Sequence, residues 1–118
     1  MINLENLQGI PNVVFLADDV IGGGAPSKEA LTEIKKQGFR AVIDLRTMME
    51  GTVLEKIEVK KTGLNYFNIP VNSLEISEDQ VSQLAAILSN AQNKPALVHC
   101  AVGGRVQALW EQYQTAGQ

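Results

Sequence analysis

One cysteine, one histidine and one tryptophan are all that the 118 residues hold, and aromatic side chains make up only 5% of the chain. A lone cysteine closes no disulfide within the chain, which excludes a stapled scaffold and leaves stability to a packed core. The single histidine is its direct neighbour, at 99 and 100, and adjacent positions at a strand end point to opposite faces. A tetrahedral cluster of soft ligands is therefore not expected, and neither a metal nor a cofactor is called for.

An excess of charge is missing too: 10 Lys and Arg stand against 13 Asp and Glu, for a net charge of −3. No general basic field draws in nucleic acid or anionic lipid, so neither is expected as a partner, and any anion site must be local. There is no apolar run of 18 residues and no N-terminal apolar segment of the signal type. These absences predict no membrane span and make the cytoplasm the default location. Repeats, low-complexity tracts and linkers are also lacking. What is present is 45% hydrophobic, in a length that suits one domain over residues 1–118 with its own core.

The organising stretch is Pro95-Ala-Leu-Val-His-Cys-Ala-Val-Gly-Gly-Arg-Val-Gln107. Ala96 to Val98 reads as a short buried strand, and Gly103-Gly104 lets the backbone turn without a Cβ penalty. A helix is predicted from about Arg105, because Val106, Leu109, Trp110 and Tyr113 recur at i, i+3, i+4 and i+7 opposite Gln107, Glu111, Gln112 and Gln114. Cys100 thus lies between a strand and a helix N-terminus. There the N–H groups of Ala101, Val102, Gly103, Gly104 and Arg105 can curl into a nest that favours anions, and the helix dipole adds to it. Thiols in such places ionise more readily and become nucleophiles. Arg105 adds a planar fork able to hold two oxygens of an oxyanion.

The remaining chain alternates strands and helices. Residues 1–12 read as an irregular start, and Val13–Leu16 with Val20–Ile21 as an edge hairpin. A helix from the Ser27 cap to Gln37, with Ala30, Leu31 and Ile34 inward, stops at Gly38. Arg40–Leu45 is a buried strand followed by a loop over 46–51. Thr52–Thr62, closed by Gly63, is predicted helical with Val53, Leu54 and Ile57 buried. A strand over Asn65–Ile69 leads into a loop over 70–76. Ser77-Glu-Asp-Gln80 is then a capping box before Val81, Leu84, Ala85 and Leu88. This alternation predicts an α/β fold, a mostly parallel sheet flanked by helices, with loops 46–51, 70–76 and 100–105 converging beyond the carboxyl ends of the strands.

His99-Cys100-Ala-Val-Gly103-Gly-Arg105 resembles the signature loop of the cysteine-dependent phosphatases, His-Cys-x-x-Gly-x-x-Arg, but has four residues between cysteine and arginine where those have five. A four-residue loop is similar to that of rhodanese-like sulfurtransferases. It is also similar to that of the phosphatase-like domain of beta-lactamase-hydrolase-like proteins. The latter, dual-specificity-phosphatase-like group resembles more of the chain. Its landmarks are Gly22-Gly-Gly-Ala-Pro26, Gly38 to Arg46, Gly63 to Val71 and Val98 to Val106 with Ala108-Leu-Trp110, together spanning residues 15–113.

The resemblance implies a cysteine-phosphatase-like hydrolase acting on a phosphorylated or other oxyanion substrate. Cys100 and Arg105 are its implied catalytic residues. Sulfur transfer and a catalytically weak anion-binding or interaction module are the alternatives. His99 is expected to orient the cysteine, and Arg46 either to bind an anion or to form a salt bridge. Phosphatases of this kind take a general acid, usually aspartate, from the loop after the strand corresponding to Asn65–Ile69. Here Asn72, Ser73 and Glu75 stand there, and Glu78 and Asp79 are explained by the helix dipole. The resembled enzymes continue into further helices, so either one side of the sheet near the short C-terminus is thinly covered or a second copy or another partner completes it.

Overall fold

The computed structural model describes residues 2–117. Five strands, β1 (Val14–Ala17), β2 (Val20–Gly23), β3 (Ala41–Asp44), β4 (Asn65–Asn68) and β5 (Ala96–His99), form one sheet in the order β1-β2-β5-β3-β4. Only β1 runs antiparallel to its neighbour; the other pairings are parallel. The hairpin places β1 at the edge and β2 inside, because β5 pairs with β2 on one side and with β3 on the other. Gly23 and Asp44 both lie opposite His99, so three strands end at the same level.

Helices cover both faces, as the alternation of apolar positions along the strands requires. Ala41, Ile43 and Leu45 of the β3 segment and Ala96, Val98 and Cys100 of the β5 segment face α3 (Glu78–Leu88) and α4 (Gly104–Ala116), where Leu84, Leu88, Val106, Leu109 and Trp110 are buried. Val42 and Leu97 face α1 (Lys28–Lys36) and α2 (Thr52–Thr62) and pack with Leu31, Ile34, Phe39 and Val59. Leu7 and Ile10 of the N-terminal stretch join this second layer, so residues read as an irregular start are part of the core. The helix caps follow the sequence. The Ser27 hydroxyl accepts from the Ala30 N–H, and Ser77 with Gln80 forms the reciprocal box.

Helix α2 has the predicted bounds but the opposite face. Val53, Leu54 and Ile57 are 57, 72 and 48% exposed, while Thr52, Glu55 and Val59 are buried. The reason is polar: Glu55 is turned in to meet the Arg46 guanidinium and the His99 ring. A buried carboxylate without such partners would cost far more than three half-exposed aliphatic side chains. The loop 46–51 also contains a single 3₁₀ turn, Met48–Glu50, held by a box in which Glu50 accepts from the backbone N–H of Thr47.

Candidate active site at the end of strand β5

Strand alternation separates Cys100 from His99. Cys100 belongs to the layer under α4, whereas the His99 ring lies on the α2 side and is fully buried. Four residues carry the chain from the cysteine to Arg105, and Gly103 makes the turn possible. Its φ of 116° is one that side-chain-bearing residues rarely adopt, and its N–H donates to the Cys100 Sγ at 3.0 Å. The thiol is thus held at the N-terminus of α4, where backbone N–H groups and the helix dipole favour negative charge.

The outer side of the loop is pinned by its carbonyls. The Ala25 N–H donates to the Ala101 oxygen at 3.1 Å, and the Asn12 side-chain amide donates to the Val102 oxygen at 2.8 Å. Asn12 does this from a left-handed backbone, φ 55°, which asparagine tolerates better than most residues. Gly24 permits the close approach, because a Cβ there would lie 2.6 Å from the Ala101 oxygen.

Arg105 is held by both other loops. Its Nη1 and Nη2 donate to the two Glu50 carboxylate oxygens at 2.9 and 2.7 Å, and Nη1 also donates to the Val71 carbonyl at 2.8 Å. The predicted convergence of 46–51, 70–76 and 100–105 is therefore present at this guanidinium. A guanidinium has five N–H donors. These contacts take both hydrogens of Nη1 and one of Nη2, leaving the Nε–H and one Nη2–H. The Glu50 hydrogen bonds raise the Arg105 pKa against a smaller opposing effect of burial, and the Cys100 charge raises it further. In return Arg105, followed by the Thr47 backbone N–H, lowers Glu50 to about 2. Sequence reasoning missed Glu50, since only the folded loop brings positions 50 and 105 together.

Beneath the loop lies a buried polar network. Arg46 donates from Nε and Nη2 to the two Asp44 carboxylate oxygens at 3.0 and 3.1 Å, and from Nη2 to Glu55 at 3.0 Å. The Tyr66 hydroxyl donates to Asp44 at 2.8 Å. His99 Nε2 is hydrogen-bonded to Glu55, and Nδ1 lies 3.1 Å from the Cys100 carbonyl oxygen. Burial would push the Asp44 pKa up, but the Arg46 hydrogen bonds and the His99 charge bring it below its ordinary value. Burial and the Asp44 hydrogen bond both push Tyr66 up. Ligand-type atoms of Asp44, Glu55 and His99 come within 4.8 Å of one another, a grouping the sequence did not predict. The Arg46 guanidinium supplies the cation among them.

Of the two expectations for Arg46, the salt bridge is the one found. Asn72, Ser73 and Glu75 are exposed, and the only side-chain hydrogen bonds among them join Ser73 to the Glu75 backbone. Their loop reaches the site through the Val71 carbonyl instead. No carboxylic acid from this loop is bonded to Cys100 or Arg105 among the described residues. No helix among those residues is long and apolar enough to cross a membrane.

The fold is shared with known phosphatases. A "Putative phosphatase (DUF442)" of Shewanella putrefaciens CN-32 superposes with a TM-score of 0.83 at 28% identity, covering 95% of this chain and 76% of that one. The catalytic core of the PP-IP phosphatase Siw14 of Saccharomyces cerevisiae superposes with a TM-score of 0.75 at 16% identity, over 93% of this chain and 69% of that one. In sequence, "Probable NAD kinase 2, chloroplastic" of Oryza sativa subsp. japonica is 31% identical over 112 residues, which cover 81% of this chain but only 11% of that protein. The comparisons support the dual-specificity-phosphatase level of the resemblance, and the group they name is not the beta-lactamase-hydrolase-like one. Residues 16–118 match the family described as DSP-PTPase phosphatase fused to NAD+ kinase, and the chain belongs to that family.

Proposed function

We propose that the chain is a cysteine-dependent phosphatase domain acting on a phosphate monoester. The observation that carries this reading is the Cys100 Sγ held by the Gly103 N–H at the start of α4, with the Arg105 guanidinium near enough for the two charges to interact. Cys100 attacks phosphorus as the thiolate, and the P–O bond to the leaving alcohol breaks. The loop N–H groups and Arg105 hold the equatorial oxygens while charge builds on them. Water then attacks the thiophosphate ester, regenerating the cysteine and releasing phosphate.

Among the described residues no acid of loop 70–76 is bonded at the site, so activated aryl phosphates are turned over and the rate falls steeply as the leaving alcohol becomes more basic; a general acid is typically worth about 10²–10⁴-fold. The test is phosphate release from aryl and alkyl phosphates, with and without Cys100→Ser, beside a thiosulfate-to-cyanide assay. Aryl phosphate turnover that vanishes in Cys100→Ser supports the reading. A Cys100 persulfide without phosphate release replaces it by sulfur transfer, and no Cys100-dependent turnover of either substrate replaces it by an anion-binding module.

A different partner reading, away from the C-terminus, rests on one further observation. Met48, Met49, Val53, Leu54 and Ile57 form an exposed apolar strip, with Met49 97% exposed, and apolar surface of this kind marks interaction sites. Since the family is described by fusion to NAD+ kinase, we propose that a NAD+ kinase domain covers this strip. Titrating a purified NAD+ kinase from the same source tests it. Binding abolished by Leu54→Glu supports the proposal, and no binding by the native chain refutes it.

A further inference from the structure

We infer that Glu55 is a positioning residue for Cys100, acting through His99, and that this task sets the orientation of helix α2. The inference rests on the proposed nucleophilic role of Cys100. Nδ1 of His99 faces the Cys100 carbonyl oxygen at 3.1 Å, and Nε2 faces a carboxylate oxygen of Glu55. A carbonyl only accepts, so Nδ1 carries a proton. The contact on the other side also needs one. The ring is therefore oriented by the carbonyl on one side and by the carboxyl group on the other.

Every side of that pair is fixed. The groups facing it are Asp44 on β3, whose Oδ1 lies 3.8 Å from Nδ1, Arg46 just beyond β3, and Tyr66 on β4 bonded to Asp44. Arg46 bridges Asp44 and Glu55, so the Glu55 carboxylate cannot swing without breaking a bond to the sheet. The His99 ring is fully buried and is clamped at both nitrogens. Its Nδ1–H fixes the Cys100 carbonyl, hence the peptide from which the nest of N–H groups begins.

A partly compensating fact is the cost accepted by α2. Turning Glu55 inward leaves Val53, Leu54 and Ile57 exposed, the reverse of what hydrophobic burial alone would choose. Orientation of that helix is governed by an ion-paired acid. The same acid touches the histidine next to the nucleophile.

Three readouts on the intact chain test this. The first is the side-chain ¹⁵N spectrum of the single histidine, expected to show a proton on Nδ1; a spectrum with an unprotonated Nδ1 overturns the inference without any variant. In Glu55→Gln the expected result is a changed His99 Nε2 signal and Cys100 alkylation slowed about tenfold, the equivalent of one hydrogen bond to a charged group. Glu55→Asp, which keeps the carboxylate, recovers part of the rate. A folded Glu55→Gln with unchanged alkylation and an unchanged His99 spectrum refutes the role. Failure of the phosphatase reading looks different: phosphate turnover is then absent from the native chain while the alkylation and ¹⁵N changes persist, and those changes still support the positioning role.

Discussion

Glu50→Gln removes the carboxylate that holds one edge of Arg105 and leaves a side chain of the same size. The native contact is two-pronged, 2.7 and 2.9 Å, with side chains 31% and 18% exposed. Arg105, and after it the Thr47 N–H and hydroxyl, lower Glu50 from 4.5 to about 2. Unscreened, such a displacement corresponds to about 3 kcal/mol. Solvent access to both partners reduces the expected contribution to about 1 kcal/mol. Because the folded value is depressed, this stability is fully present above the unfolded value of 4.5 and is lost as pH falls through the folded value near 2.

Urea unfolding of native and Glu50→Gln chains from pH 7 to pH 2.5 measures it. With a slope of about 1–3 kcal/mol/M, the midpoints should differ by about 0.3–1 M at pH 7. Under about half of that difference should survive at pH 3. Asp44, also depressed, destabilises both proteins in acid and cancels in the comparison. The reasoning is refuted if the difference at pH 3 equals that at pH 7, or if it persists undiminished in an Arg105→Ala background.

Three further outcomes follow from the same geometry. Gly103→Ala places a Cβ on a backbone with φ 116° although no other atom lies within 3.8 Å, so it should cost about 1–2 kcal/mol through backbone strain alone and weaken phosphate or vanadate binding measured by calorimetry. Arg105→Lys keeps the charge but loses the planar edge, and should lower kcat/KM for an aryl phosphate by about 10²-fold. Leu109→Ala, at a fully buried site, should cost about 2–5 kcal/mol in thermal or urea unfolding, whereas Leu54→Ala, 72% exposed, should stay within about 0.5 kcal/mol.

Much of the fold was legible because local signals agreed with the tertiary outcome. Ser27, Gly38, Gly63 and the Ser77 box mark helix ends that the structure keeps. The Cys100 to Arg105 stretch was legible for the same reason: the turn glycines, the helix start and the basic residue are neighbours in the chain. Glu50, Glu55 and Asn12 were not, because Arg105, His99 and Val102, which they meet at the site, lie 55, 44 and 90 positions away. In α2 the apolar pattern pointed the wrong way, since periodicity counts hydrophobic residues and cannot register an ion pair that overrides them. The one hint was negative. Thr52, Glu55 and Val59 share a helical face carrying a lone acid and one aliphatic residue, a poor solvent face and a poor core face alike.

The shallow seating of α2 bears on how the domain breathes. Val59 is the one buried aliphatic residue within the helix, whereas α4 buries Val106, Leu109 and Trp110. Segments with few apolar contacts detach at free energies well below that of global unfolding. Amide protons of α2 should therefore exchange in an earlier, sub-global event than those of α4 and β5. Each such opening would withdraw Glu55 from His99 and loosen the Cys100 loop while the sheet stayed intact. Occupancy of the apolar outer face of α2 by a partner would suppress that opening, so exchange at the helix would report on docking and on the state of the loop together.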